Sequence, residues 1–220
     1  MFLNLSIPLE RYTQAFLDTL TMVGISGAIA FFAGIPLAVL LIVTASGGFL
    51  ESPRINRVVG SVVNGFRATP FIVMLVALIP FTRLVAGTTI GVWAAVVPLA
   101  ISATPFFARI AEVSLREVDP GLIEAAQAMG CKKWHIIRHV YFPEALPGII
   151  GGFTITLVAL ISSSAMAGAV GAGGLGDLAI RYGYQRFDTQ VMLIVIAVLI
   201  ALVTVVQTSG DRYARWLRNR

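Results

Sequence analysis

Apolar residues in this chain gather in long runs and do not show the alternating or one-sided patterns of soluble domains. Each of five runs is long enough, at 1.5 Å per residue, to cross the roughly 30 Å hydrocarbon core of a bilayer as a helix. We therefore predict an all-α integral membrane protein with one transmembrane domain over residues 1–220. The predicted spans lie near residues 19–43, 58–81, 88–108, 148–170 and 190–207.

Composition agrees with this class. Hydrophobic residues make up 57% of the 220 residues and charged residues only 12%, which is too apolar for an ordinary soluble domain. The net charge of +5 does not require a nucleic-acid partner, because the basic tail "DRYARWLRNR" directly follows the last run. Such a tail is typical of an anchor at an anionic lipid surface. We expect the lipid bilayer, and no nucleic acid, among the partners.

The positions of Lys and Arg predict the orientation, because short basic loops stay on the cytoplasmic side. With five spans, eleven basic residues fall on one side and four on the other. The C-terminus and the loop at residues 109–145 are therefore predicted to be cytoplasmic. The richer side holds Arg54, Arg57, Arg109, Arg116, Lys132, Lys133, Arg138, Arg212, Arg215, Arg218 and Arg220, and the other side holds Arg11, Arg83, Arg181 and Arg186.

The predicted spans contain few ionisable residues. Gradient-driven carriers usually hold ionisable residues within the membrane, but the third, fourth and fifth predicted spans contain none. Arg67 is the one charge within the second span, and Pro70 follows it in "FRATPF". We expect a kinked helix there, with Arg67 acting either as a structural anchor or as a substrate contact.

Neither of two glycine-containing stretches is expected to form a nucleotide-binding site. The lysines of "GCKKWH" cannot supply the phosphate-binding loop of an ATPase. The run "GAGGLG" (residues 171–176) has dinucleotide-motif spacing, but it follows a membrane helix and not a strand. We predict a tight turn there. We expect no catalytic residue and no cofactor in this chain, so any ATP hydrolysis must come from another chain.

Metal binding is also not expected. His135 and His139 are four residues apart on a predicted helix, a spacing that can place two ligands on one metal. Only Cys131 stands near enough in the sequence to join them, and this single cysteine excludes an internal disulfide.

The stretch "DPGLIEAAQAMG" (residues 119–130) predicts a short capped helix in the cytoplasmic loop. Asp119 suits the N-cap, Pro120 the first helical position, and Gly130 the left-handed residue after the end. Ala125 and Ala126 would allow close approach of a partner, with Glu124 offering a charge. The alternative is an ordinary surface helix with Glu124 placed favourably near the N-terminal dipole.

The spacing after this helix resembles the EAA loop of bacterial ABC importer permeases. Glu124, Ala125 and Ala126 are followed by Gly130 and, after twelve more residues, by Pro143. In that family the loop engages the ATPase, so the resemblance implies ATPase-coupling roles for these five residues. Phe142 stands where the family has Leu.

Longer stretches resemble the permeases of methionine importers. They are residues 65–91, residues 144–176 and the tyrosines of "RYGYQRFD", and "IPFTRLVAGTTIG" is the most telling of them. Related osmolyte and phosphonate permeases also carry runs like "GAGGLG". There are two alternatives: a permease for one of those solutes, or a standalone channel or carrier.

The resemblance implies a type I ABC importer permease fold with five transmembrane helices and a cytoplasmic coupling helix. It implies a homodimer in a bacterial inner membrane, two cytoplasmic ATPase subunits that bind ATP and Mg, and a periplasmic or lipid-anchored substrate-binding protein. It implies uptake of L- and D-methionine by alternating access, without catalysis in this chain.

The fourth span offers candidates for the translocation path. Ser162, Ser163, Ser164 and Met166 fall near the middle of the membrane, where hydroxyls can bond a zwitterion and Met can form an adaptable gate. Alternatively, the serines bond to their own helix carbonyls and Met166 is packing. The small residues Gly148 and Gly152 predict a close helix contact, either with a second subunit or within the chain.

Overall fold

The structure is a computed structural model, and it describes residues 7–219. Within these residues the chain is helical, with no strand. The helices are α1 (Leu9–Thr44), α2 (Pro53–Ala68), α3 (Phe71–Ala77), α4 (Ile79–Ala86), α5 (Val92–Arg116), α6 (Pro120–Ala128), α7 (Lys133–Ile136), α8 (Phe142–Gly168), α9 (Gly174–Leu178) and α10 (Thr189–Arg218). There are also two π-helical segments. The first, Ile137–Tyr141, joins α7 to α8, and the second, Ala179–Tyr184, follows α9.

Four stretches are long and apolar enough to cross a membrane. They are α1, α5, the continuous helical stretch Lys133–Gly168 and α10, and the bent pair α2 and α3 makes a fifth if it counts as one span. The predicted all-α membrane class is therefore confirmed. The helices extend past the predicted spans because hydropathy marks where a helix becomes polar and not where its hydrogen bonding ends.

The second predicted span is not one continuous helix. α2 and α3 meet at an angle of 104°, and the prediction of a kinked helix over residues 58–81 understated the break. Thr69 is extended, with φ −79° and ψ 124°, because it precedes Pro70, whose ring disfavours helical backbone at that position. Pro70 also lacks the N–H that would continue the helix.

α5 lies at the centre of the molecule and packs against α1 and α8. A Cβ added at Gly34 on α1 would lie 2.7 Å from the Phe107 ring and 3.3 Å from the Thr104 carbonyl oxygen. The Phe107 ring stacks on Phe31 at 5.6 Å and meets Phe153 edge-on at 5.4 Å. The helices approach closely where a glycine faces a ring.

The predicted tight turn is confirmed for residues 171–173, and α9 begins directly after it at Gly174. The glycines at positions 171, 173 and 174 have positive φ values of 89°, 84° and 78°, which other residues rarely adopt. A Cβ added at Gly176 would lie 2.3 Å from the carbonyl oxygen of Ala165, so backbone packs directly on backbone there. The N–H of Leu175 donates to Thr19 Oγ1 at 2.9 Å and ties the turn to α1.

α10 continues well beyond the predicted fifth span and carries most of the basic tail as helix. The rings of Tyr213 and Trp216 stack there at 5.7 Å. Arg220, the last of the eleven basic residues, lies outside the described residues.

Candidate functional site

Helix α6 has both predicted caps. Asp119 accepts a hydrogen bond from the N–H of Gly121 at 2.8 Å. At the other end Gly130 is left-handed with φ 75°, and the N–H of Cys131 donates to the carbonyl of Ala126 at 3.1 Å. The predicted helix and its caps are confirmed.

The faces of α6 differ from the predicted arrangement. Ala126 is buried inside the chain, with 5% of its surface exposed. Ala125 and Glu124 are exposed, together with Leu122 and Met129. The expectation that Ala125 and Ala126 share a partner-facing surface is wrong for Ala126, because consecutive helical residues point about 100° apart.

A buried carboxylate lies just before α6. Glu112 is 1% exposed and accepts from both neighbouring arginines: Arg109 Nη1 at 2.7 Å, and Arg116 Nε and Nη2 at 3.0 and 2.6 Å. The arginine side chains are 37% and 50% exposed. The cluster lies in the last turns of α5, directly ahead of the connection to α6.

Sequence reasoning missed Glu112 because residues 109–116 were interpreted as loop, whereas α5 continues through them. The available signal was the spacing, since Arg109 and Arg116 stand three and four residues from Glu112, where helical side chains meet.

Pro143 and Gly130 lie on either side of α7 and the first π segment. Pro143 is exposed in the first turn of α8. Lys133 connects this stretch to the loop after α1, because its Nζ donates to the Phe49 carbonyl at 2.7 Å. The structure thus brings α6 and the start of α8 to one end of the bundle.

Small residues at the same end bring α8 close to α5. A Cβ added at Gly148 would lie 2.7 Å from Ser114 Oγ, and one at Gly152 would lie 2.4 Å from Ile110 Cγ2. Of the two alternatives for this glycine pair, the structure shows the contact within the chain.

The four predicted path residues on α8 separate into different environments. Ser164 is buried and donates to the carbonyl of Ile161 at 2.8 Å, and exposed Ser162 donates to Val158 at 3.4 Å. Ser163 is half-buried and lines a cavity. Met166 is 49% exposed and lies toward the end of α8. Only Ser163 of the four reaches this cavity.

This cavity measures about 140 Å³ and lies beside the bend between α2 and α3. Arg67, Ser102 and Ser163 are among the polar residues that line it. The rings of Phe66, Phe71 and Phe106 also line it. Arg67, for which the sequence left anchoring and substrate contact open, therefore lies on the wall of a cavity between three helices.

The histidine pair shows no metal centre. The rings of His135 and His139 stack at 5.7 Å, and Nδ1 of His139 lies 3.2 Å from the carbonyl oxygen of His135. Cys131 is exposed. Across residues 7–219, no three His, Cys, Asp or Glu side chains come together in a way that could hold a metal ion.

Comparison with known families and proteins gives a consistent result. Residues 32–220 match the family described as "Binding-protein-dependent transport system inner membrane component". The "Probable D-methionine transport system permease protein MetI" of Vibrio cholerae is 53% identical over 203 residues, which cover 92% of this chain and 90% of that protein. The "Methionine import system permease protein MetP" of Bacillus subtilis is 43% identical over 172 residues, or 78% of each chain.

Comparison with solved structures agrees with the sequence comparisons. "Inward facing conformations of the MetNI methionine ABC transporter" contains a chain with a TM-score of 0.93 and 45% identity to this one, with 95% of this chain and 97% of that chain covered. The chain in "Crystal structure of an amino acid ABC transporter with histidines" has a TM-score of 0.77 at 22% identity, over 94% of both chains, and shares the fold.

Proposed function

The chain belongs to the family of binding-protein-dependent transport system inner membrane components, and we propose that it is the permease through which an ATP-driven importer moves methionine into the cytoplasm. The observation that best supports methionine as the substrate is the match to a chain of a methionine ABC transporter, at 45% identity and a TM-score of 0.93. The chain is a non-catalytic membrane subunit, and ATP hydrolysis belongs to a separate subunit.

We propose that two copies of the chain form the permease, with two cytoplasmic ATPase subunits that bind ATP and Mg, and with a substrate-binding protein on the outer side. ATP binding draws the ATPases together, and the membrane helices change from inward-open to outward-open. This change requires contacts that differ in free energy between the two states. Helix α6 supplies such contacts at the ATPase.

The proposed coupling surface comprises the exposed part of α6 and its flanks. Glu124 and Ala125 face outward and are available to a partner. Ala126 has a supporting role, because it packs α6 onto its own chain, and the turn at Gly130 fixes the direction in which the helix ends. Pro143 lies at the exposed start of α8, which carries the path residue Ser163 into the membrane. A displacement of α6 would be transmitted to the membrane helices through the packing of Ala126 and through the stretch from Gly130 to the start of α8.

The proposed location is the inner membrane of a bacterium, with α6 and the C-terminus in the cytoplasm. The excess of basic residues on that side supports this orientation. Cys131 is exposed next to α6, and it is the only cysteine. A membrane-impermeant thiol reagent should therefore label it in inverted vesicles and not in intact spheroplasts, after subtraction of the Cys131→Ala background. Labelling in intact spheroplasts would reverse the orientation.

Uptake by the reconstituted complex tests the substrate. The chain is co-purified with its ATPase, placed in proteoliposomes with the binding protein, and supplied with radiolabelled methionine and ATP. Unlabelled methionine should compete, and glycine betaine or a phosphonate should not. Competition in the opposite pattern would move the chain to an osmolyte or phosphonate importer. Uptake by the chain alone would favour a standalone carrier.

A further inference from the structure

The cavity between α2, α5 and α8 is lined by one cationic residue, four hydroxyl-bearing residues and three aromatic residues. Among the four are Thr69 and Thr156, whose hydroxyls donate to the carbonyls of Gly65 and Gly152. The hydroxyls of Ser102 and Ser163, by contrast, have no hydrogen-bond partner within residues 7–219. These two groups are free to bind a solute.

The guanidinium of Arg67 is almost unsatisfied in the described chain. Its one hydrogen bond there is to Asn64 Oδ1 at 3.5 Å, the outer limit of such a contact. A guanidinium offers five N–H donors in a planar fork that matches a carboxylate. Arg67 is exposed in the single chain, and an unpaired charge within a membrane span is costly, so a counter-ion would stabilise it.

Within residues 7–219, no Asp or Glu lines this cavity. On the cytoplasmic side, Glu112 stands six residues beyond Phe106 on α5, about 9 Å along the axis, and is already bonded to two arginines. Asp211 lines a separate cavity with Gly151, five residues or about 8 Å before Thr156 on α8.

The carboxylates on the outer side are also distant. Asp18 lies beside Gly173, in the loop beyond the end of α8, and Asp177 pairs with Arg181 at 2.8 Å. The remaining seven of the eleven Asp and Glu residues lie in connections, near helix ends or on the short helix α6. They are Glu10, Glu51, Glu117, Asp119, Glu124, Glu144 and Asp188.

A second copy of the chain cannot provide the missing anion. The subunits of a symmetric dimer in a bilayer are related by a two-fold axis along the membrane normal, and rotation about that axis leaves every residue at its own depth. The partner's carboxylates would lie at the same two ends of the bundle, away from Arg67. The counter-ion must therefore come from outside the permease.

We propose that this cavity binds the transported amino acid during its passage, with Arg67 paired to the solute carboxylate. This assignment rests on the proposed importer function and names the residues that would recognise the solute. The ammonium group bonds to the free hydroxyls of Ser102 and Ser163. The side chain lies against Phe66, Phe71 and Phe106, and aromatic rings make favourable contacts with a thioether sulfur.

Protection of a reporter cysteine measures occupancy of this cavity without depending on transport. Thr69→Cys places a thiol on the cavity wall, at a residue whose hydroxyl bonds to its own backbone. It is built into a Cys131→Ala background and reconstituted with the ATPase but without the binding protein. Ala159→Cys, on the α8 wall, is a second reporter.

Methionine should slow maleimide labelling of both reporters several-fold, and methioninol, which lacks the carboxylate, should not. Arg67→Gln should abolish the protection by methionine. Arg67→Lys should restore part of it, because it keeps the charge but loses the planar fork. Arg83→Gln, on α4 and outside the cavity, is the matched control and should leave protection unchanged.

Equal protection by methionine and methioninol, or full protection by methionine in Arg67→Gln, would overturn the proposal. Absence of protection by any carboxylate tested would also overturn it. If glycine betaine protects in an Arg67-dependent way and methionine does not, the carboxylate site stands and the methionine assignment fails. The two failures are therefore distinguishable.

Discussion

α5 and α6 are joined by only three residues, yet they depend on opposite kinds of contact. α5 is buried on most sides against α1 and α8, and the carboxylate near its end is paired with arginines of the same helix. α6 has Ala126 as its one buried residue and is held mainly by its caps. Changes in α5 should therefore affect folding, whereas changes on the exposed part of α6 should affect partners.

The largest effect should come from filling the contact between α1 and α5. In Gly34→Leu the new side chain would meet the Phe107 ring and the Thr104 carbonyl, and overpacking of this kind costs about 1–3 kcal/mol or more. We expect a lower apparent unfolding temperature in detergent and poor recovery of the complex. Gly24→Leu on the same helix is the matched control, since nothing lies within 4 Å of its Cβ. Equal stability of the two variants would show that α5 is not tightly packed there.

The next effect should come from the charged end of α5. Glu112→Gln removes the charge that pairs both arginines, and hydrogen bonds to charged groups contribute about 1.5–3 kcal/mol. We expect the lower part of that range, because both arginine side chains are partly exposed and water can replace some of the pairing. Thermal unfolding should show a loss that Glu117→Gln, at a neighbouring exposed carboxylate, does not show. Uptake should also fall, because α6 begins three residues after α5 and its position depends on the end of α5.

A smaller effect on stability, but a large one on coupling, is expected at the end of α6. Gly130→Val forces a β-branched residue into left-handed backbone, a strain of about 1–3 kcal/mol that the turn can relieve only by changing shape. No atom lies within 4 Å of the added Cβ, so the effect comes from φ and not from a clash. Retention of the ATPase and uptake should fall. Gly130→Asn should be milder, since Asn tolerates this conformation. Normal retention and uptake in Gly130→Val would mean that α6 is only a surface helix.

The smallest effect on stability is expected on the exposed part of α6. Ala125→Arg should change the free energy of unfolding by no more than about 0.5 kcal/mol, as is usual for surface positions. It should nevertheless reduce the amount of ATPase that co-purifies, whereas Ala125→Ser should not. Ala126→Arg should instead destabilise the chain itself, because that residue is buried. If the two arginine variants behave alike, the division of α6 into an inner and an outer side is wrong.

Local features of the chain could be predicted from the sequence. The ends of α6 depend on Asp119 and Gly130, whose side-chain oxygen and lack of a Cβ act within a few residues. The glycine turn at residues 171–173 was predictable for the same reason. The long apolar runs predict membrane helices because the bilayer requires internally bonded backbone.

Features that depend on distant contacts could not be predicted. The burial of Ala126 and Glu112 is decided by neighbouring helices, which a single sequence does not specify. Pro70 predicts a break, but the angle of 104° depends on what α3 packs against. Arg67 is visible as a charge in a membrane run, but its position on a cavity with Ser102 and Ser163 arises only when three helices meet.

The ion cluster at the end of α5 also bears on how the protein is made. Arg109, Glu112 and Arg116 belong to one helix, so their pairing needs no other part of the fold. It can form as soon as this turn of helix leaves the ribosome and before α8 has been synthesised. The nascent helix can then reach the membrane interface with the Glu112 carboxylate already paired.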